Sequence, residues 1–348
     1  KGNVIDPLDL MDKYGADALR FTLTALAAQG RDIKLSEKRV EGYRNFTTKL
    51  WNAARYCEMN DAIAAREFDP GNVRQTVNRW IVGELARAAA AVDEAIDSYR
   101  FNDAANALYQ FTWGTFCDWY VEFTKPILFG ADEAAKEETR AATSYVLRTL
   151  LKLLHPFMPF ITEELWEKLG FKTGAMLIRT AWPDLASVPG DGASEAEMGW
   201  VVALVSAIRA VRAEMNVSPA AQIDMILNGA TRETLKRLDR HRDLIVRLAR
   251  LKAIERDVSV PKGSAQILVG EASVALPLAG VIDLDKERAR LDREVARLEG
   301  EIGKIDKKLG DAAFVAKAPP EVVEIQRERR AEAEEAQARL REALGRLG

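Results

Sequence analysis

The chain has 348 residues, 48% of them hydrophobic and 30% charged, which is enough apolar material for roughly two or three ordinary globular domains. It holds no uninterrupted apolar run of about 18 residues and no signal-peptide pattern, which excludes a membrane-spanning helix. Two cysteines (Cys57, Cys117) and two histidines (His155, His241) without a shared ligand pattern exclude a disulfide scaffold, a cysteine-based zinc site and the usual His-dependent hydrolases, while a net charge of −3 leaves nucleic-acid binding to local basic faces.

In chain order, Asp6-Pro7 reads as N-cap and first position of a helical segment over Leu8 to Leu23. A helix over 36–60 follows, with Ser36 as N-cap candidate and Val40, Tyr43, Leu50, Ala54 and Cys57 at helical spacing. Asp69-Pro70-Gly71 marks a turn. Amphipathic runs over 73–98, 102–125 (stopping before Pro126) and 132–154 predict three long helices, the last ended by the prolines of "HPFMPF". A short helix with Pro159 near its start and Gly170 past its end completes an antiparallel helical bundle.

The Gly-, Ser-, Pro- and Asp-rich stretch 184–197 reads as a linker. Beyond it, a helix over 195–214, a strand over 222–227 and one or two helices over 231–251 are expected. "AQILVG" and "ASVALPL", joined at Gly270-Glu271, read as a β-hairpin. From Asp283 a heptad seam runs through Leu291, Val295, Leu298, Ile302, Ile305 and Leu309; after "GDAAFVAKAPPEVV" a second charged helix presents Ala333, Ala336, Leu340, Leu344 and Leu347. Together these predict an antiparallel coiled-coil hairpin about 40 Å long. The expected fold is mainly α: a connector over 1–35, a bundle over 36–185, a small α/β subdomain over 194–280 and the arm over 281–348.

None of these features alone names a function. Several linked stretches, however, carry a resemblance. "KGNVIDPLDLMDKYGADALRF" resembles the segment after the KMSKS loop in class I aminoacyl-tRNA synthetases for hydrophobic amino acids; that loop would end one residue before Lys1. "GRDIKLSEKRVEGYRNFTTKLWNAAR", "RFNDAANALYQFTWGTFCDWYVEFTKP" and "LLHPFMPFITEELWEKL" are similar to the anticodon-binding bundle of the bacterial valyl type. "PLAGVIDLDKERARL" and "FVAKAPPEVV" resemble its C-terminal coiled coil. An isoleucyl-type piece is disfavoured by the lack of a cysteine-rich zinc module, and a leucyl-type piece by the heptad hairpin.

The resemblance implies a parent enzyme that uses ATP with Mg to activate valine, transfers it to tRNA-Val and removes mischarged threonine. It implies that catalytic and editing domains lie upstream, so this chain carries no catalytic residue, cofactor or metal of its own. Its expected partners are tRNA-Val and those upstream domains, in a cytoplasmic, monomeric protein with no membrane association. The competing reading is a helical scaffold whose hairpin docks or dimerises.

Candidate binding residues come from helical spacing. Lys38, Asn45, Lys49, Asn52 and Tyr56 fall on one face of the 36–60 helix. Lysine for phosphates, asparagine for base edges and an aromatic ring for stacking suit unpaired bases, and the resemblance places the anticodon there; the competing reading is a solvated face with Tyr56 packed inward. Arg39, Arg44 and Arg55 lie on neighbouring faces. The aromatic row Phe101, Tyr109, Trp113, Phe116 and Tyr120 is expected to be core, and His155 a capping or core residue. Residues 281–348 hold 16 acidic and 15 basic groups, so the arm has no net positive charge. Yet Arg293, Arg297, Lys304 and Lys308 can form one basic stripe, which the resemblance would set against the corner of the tRNA; a solvated scaffold is the alternative. Arg290, Lys307 and Lys317 are further basic candidates.

Overall fold

Asp6 accepts the Leu8 N–H on Oδ1 at 2.8 Å and Pro7 fills the first helical position, so the first helix starts where the sequence sets it. The predicted single segment divides, however: α1 spans Pro7–Tyr14 and α2 Ala16–Leu26, separated by Gly15 at φ +90°, a conformation that only glycine adopts without strain. The computed structural model describes residues 6–28, 33, 35–63, 68–171, 174–311, 314–315 and 318–346, and its chain divides into two units, Lys1–Met198 and Gly199–Gly348.

In the first unit, α3 (Glu37–Met59) begins on the Ser36 carbonyl, which accepts the Arg39 N–H at 3.0 Å, while the serine side chain makes no capping bond. Next come α4 (Thr76–Asp97) and a long helical run made of α5 (Phe101–Tyr109), a π-helical segment (Gln110–Tyr120) and α6 (Val121–Leu128). Contrary to expectation, this run passes through Pro126. The proline sits in the last turn, so its missing N–H costs only one late helical bond. Two further helices follow, α7 (Glu133–Leu154), capped by Asp132 through the Ala135 N–H at 3.0 Å, and α8 (Pro159–Lys168).

The core of this unit packs Phe21, Phe46, Leu50, Leu85, Leu147 and Leu151 with almost no exposure. A polar thread crosses it. The Tyr120 hydroxyl donates to Asn78 Oδ1 at 3.0 Å, and the Asn78 amide donates to Thr139 Oγ1 at 3.0 Å, so these buried polar groups are satisfied by one another. Phe116 and Tyr120 are core residues as expected, and Tyr109 and Trp113 are half-buried. Phe101 departs from the expectation. As the first residue of α5 it has no preceding turn to pack on, and it is 44% exposed.

In the second unit, α9 (Gly192–Glu214, counted here from Gly199) accompanies a four-stranded sheet of order β2-β1-β4-β3, with β1 Ile223–Asn228, β2 Leu251–Arg256, β3 Ser264–Val269 and β4 Ala272–Pro277. The β3–β4 hairpin turns at Gly270, φ +62°, where predicted. β1 and β2 are parallel, and α10 (Arg232–Arg240) and α11 (Arg242–Ala249) form the crossover between them. Strand β2 was not foreseen: the helical pattern expected to reach residue 251 ends at Ala249, because Arg250 turns left-handed at φ +53° and releases the chain into the sheet.

The hairpin pairs α12 (Leu284–Gly310) with α13 (Pro320–Arg346). Leu291, Leu298 and Ile305 are buried; Val295, Ile302 and Leu309 are half-buried. On α13 the buried positions are Val323, Ala333, Gln337 and Ala343, with Ala336, Leu340 and Leu344 half-buried, so the seam is wider than the predicted row; Leu347 lies outside the described residues. An Arg330 Nε to Asp306 Oδ1 bond of 2.6 Å joins the two helices beside this seam. At the root, Arg290 Nη2 donates to the Glu214 carbonyl at 3.0 Å, and the Arg346 guanidinium pairs with the Glu214 carboxylate.

Candidate nucleic-acid interface

Helix α3 carries the five residues singled out from spacing, and the structure divides them. Lys38, Asn45 and Asn52 are exposed; Lys49 and Tyr56 are half-buried against the π-helical segment and α6. At 100° per residue the five lie within about 60° of one another, so they share one face. Val40, Phe46, Leu50, Ala54 and Cys57 occupy the buried side, and this apolar stripe leaves the polar row facing outward.

Lys49 and Tyr56 have partners that sequence spacing did not disclose. Lys49 Nζ lies 2.7 Å from Asp118 Oδ1 and 5.4 Å from the centre of the Trp113 ring. Burial opposes the lysine charge, but the Asp118 carboxylate outweighs it, and the pKa is held above the ordinary lysine range. The Tyr56 hydroxyl is 3.0 Å from Thr124 Oγ1, and the Lys125 ammonium stands 5.7 Å from its ring centre. Asp118 and Trp113 both belong to the π-helical segment. A π turn shifts side-chain phase relative to an α-helix, so α-periodicity could not place these residues opposite Lys49. The one signal in the sequence was the concentration of aromatic residues with an isolated aspartate inside it.

The resulting surface pairs amine and amide donors with the half-buried Asp118 carboxylate and the half-buried Trp113 ring. It can contact phosphate, hydrogen-bond base edges and offer an aromatic face. Arg39, Arg44 and Arg55 are exposed around the same helix.

On the hairpin, Arg293, Arg297, Lys304 and Lys308 are all exposed and again lie within about 60° on α12. They are not equally available. Arg297 is paired with Glu294 at 2.9 Å and Glu301 at 3.2 Å, and Arg293 Nε donates to the Ala289 carbonyl at 3.1 Å. Lys304 and Lys308 have no charged partner among the described residues. Lys317 lies outside the described residues. Among the described residues, no three His, Cys, Asp or Glu side chains gather as a metal site, and no helix is long and apolar enough to cross a membrane.

Three family descriptions match the chain. Residues 1–36 match "tRNA synthetases class I (I, L, M and V)", residues 78–227 match "Anticodon-binding domain of tRNA ligase", and residues 283–348 match "Valyl tRNA synthetase tRNA binding arm". Curated relatives align along the whole chain. The valine–tRNA ligases of Rhizobium meliloti and Caulobacter vibrioides are each 53% identical over 350 residues, and that of Brucella suis is 51% identical. All of this chain is covered in each case, against 37%, 39% and 38% of the respective relative, so the chain spans about two fifths of their length and corresponds to their C-terminal part. Helix α3 falls between the matched family stretches and is covered by the whole-chain relatives.

Proposed function

Because this chain belongs to the valine–tRNA ligase family of class I aminoacyl-tRNA synthetases, we propose that it is the tRNA-holding portion of such an enzyme. The observation that carries this reading is the exposed row Lys38, Asn45 and Asn52 on α3, set beside Trp113 and Asp118, in a chain whose later segments match anticodon-binding and tRNA-arm families. The α3 face reads the anticodon of tRNA-Val, while the α12 stripe holds the tRNA corner by charge and shape. The whole protein attaches valine to its tRNA with ATP and Mg and clears threonine. Those steps belong to the catalytic and editing domains of the same polypeptide. It works as a monomer in the cytoplasm; the packing of the apolar seams of α12 and α13 against each other, among the described residues, supports the monomer.

The test is binding of an anticodon stem-loop. A valine loop is expected to bind at least tenfold more tightly than one with two anticodon bases exchanged, which is about 1.4 kcal/mol or more. Affinity should fall steeply with salt. Equal affinity for both loops, with the hairpin driving self-association at micromolar concentration, returns the chain to the scaffold class.

A further inference from the structure

Two side chains of the first unit lack the partner that their burial calls for, and both line one cavity away from the α3 row. Lys152 on α7 is half-buried with no carboxylate paired to it among the described residues; its ammonium lies 6.0 Å from the Trp166 ring centre. Burial, and then the charge of Arg148, push its pKa below the ordinary lysine range. Among the described residues its compensation is the Trp166 ring and its place in the last turn of α7, with no anion beside it.

The second is His155, at the C-terminal end of α7. Its Nδ1 is 2.8 Å from Thr162 Oγ1, and that hydroxyl donates to the Met158 carbonyl at 2.8 Å. Nδ1 thus faces the Thr162 hydroxyl, while Nε2 is turned toward Glu163. This Nε2 is buried and has no hydrogen-bond partner. The Glu163 carboxylate, 4.0 Å away, already accepts the Leu177 N–H at 2.7 Å and the Ile178 N–H at 3.3 Å.

The cavity measures about 520 Å³, and none of its lining residues is a carboxylate. Arg20 from α2 stands at its edge, oriented by donation from Nη2 to the Pro156 carbonyl at 3.1 Å. Phe160, 65% exposed, and Trp182 supply aromatic walls, and the Trp182 indole is fixed by an Nε1–H bond to Asp93 at 2.8 Å. A volume of this size suits a nucleotide-sized ligand.

We propose that this cavity is a binding site for a nucleoside phosphate, taken either as a free nucleotide or as one nucleotide of an RNA strand. Lys152 and Arg20 hold the phosphate, and the base stacks on Phe160 or Trp182. The two cations thereby meet an anion, and the exposed rings a flat apolar partner.

The experiment titrates the full chain with AMP and with adenosine by calorimetry, for the wild type, K152Q and K152R. AMP is expected to bind at least tenfold more tightly than adenosine, with that preference lost in K152Q and recovered in K152R. K152Q should keep the fold, read by circular dichroism, because no acidic partner is stranded and only the contact of the ammonium with the Trp166 ring and the end of α7 is lost. If AMP does not bind, but K152Q weakens valine tRNA about tenfold with anticodon preference intact, the phosphate comes from RNA and the site stands. Equal binding of AMP and adenosine overturns the proposal. So does a K152Q chain with unchanged affinity for both nucleotide and tRNA. Anticodon discrimination in the wild type is read in the same tRNA titrations, so failure of the α3 reading is scored separately.

Discussion

The Asp17 carboxylate takes the Ile161 N–H on Oδ2 at 2.6 Å, and its other oxygen takes the Phe160 N–H at 3.3 Å, so a residue of α2 caps a helix that begins 142 residues later. Pro159 occupies the first position of α8, which leaves the next two N–H groups as the ones needing an acceptor. Asp17→Ala should therefore lower unfolding stability by about 2 kcal/mol, since it strands two amide donors. Asp17→Asn, which keeps one acceptor oxygen, should lose roughly half as much. Urea unfolding followed by circular dichroism measures both, and equal losses would show that the cap acts through charge alone.

Asp118 restrains Lys49 on the α3 face. Asp118→Ala should free the ammonium and remove a carboxylate, raising affinity for any RNA loop and steepening the salt dependence by about one unit of slope. An unchanged slope would take Lys49 out of the interface. Lys49→Ala and Tyr56→Ala should each reduce anticodon discrimination while the fold persists.

Along α12 the four basic residues should differ in effect. Lys304→Ala and Lys308→Ala each remove a cation that has no charged partner among the described residues, and each should reduce the salt slope by about one without altering anticodon preference. Arg297→Ala should do less, because its guanidinium is shared between Glu294 and Glu301. A larger loss at Arg297 than at Lys304 would mean that RNA displaces those glutamates.

Glu271, at the β3–β4 turn, accepts the Thr231 N–H at 3.1 Å and the Thr234 hydroxyl at 2.7 Å. These bonds, the Thr234 hydroxyl foremost, pull its pKa from 4.5 down to about 2. A carboxylate with a depressed folded pKa contributes stability above its unfolded value and loses it as pH falls through the folded one. The stability of the second unit should thus decline between pH 4.5 and about 2, and Glu271→Gln should flatten that decline in thermal melts across the window.

Legibility in the sequence followed the kind of signal each element carries. Helices α3, α4, α7 and α12 announce themselves because one apolar stripe of period 3.6 or 3.5 faces one core, as with Leu291, Leu298 and Ile305. Strand β2 did not, because a left-handed Arg250 looks like any other arginine and six residues are too few for a period to declare itself. The π-helical segment was hidden for a related reason, since its hydrogen-bond shift leaves composition untouched. At the candidate interface the row on α3 was readable, as a property of one helix. That Lys49 answers to Asp118 and Tyr56 to Thr124 was not, because those are relations between helices 68 or more residues apart. The cavity beside Lys152 belongs to the same class. Arg20, Lys152 and Trp182 meet only through the tertiary fold.

Both strands of the hairpin's root converge on Glu214: Arg290 grips its carbonyl from α12, and Arg346 its carboxylate from α13. Two 27-residue rods packed along a buried seam, bridged by Asp306 and Arg330 and clamped together at one end, behave as a lever rather than a tether. A displacement of about 1 Å at the clamp is multiplied over some 40 Å of arm. Whatever the tip grasps, its position is therefore set at this clamp, together with the packing of α13 on β3.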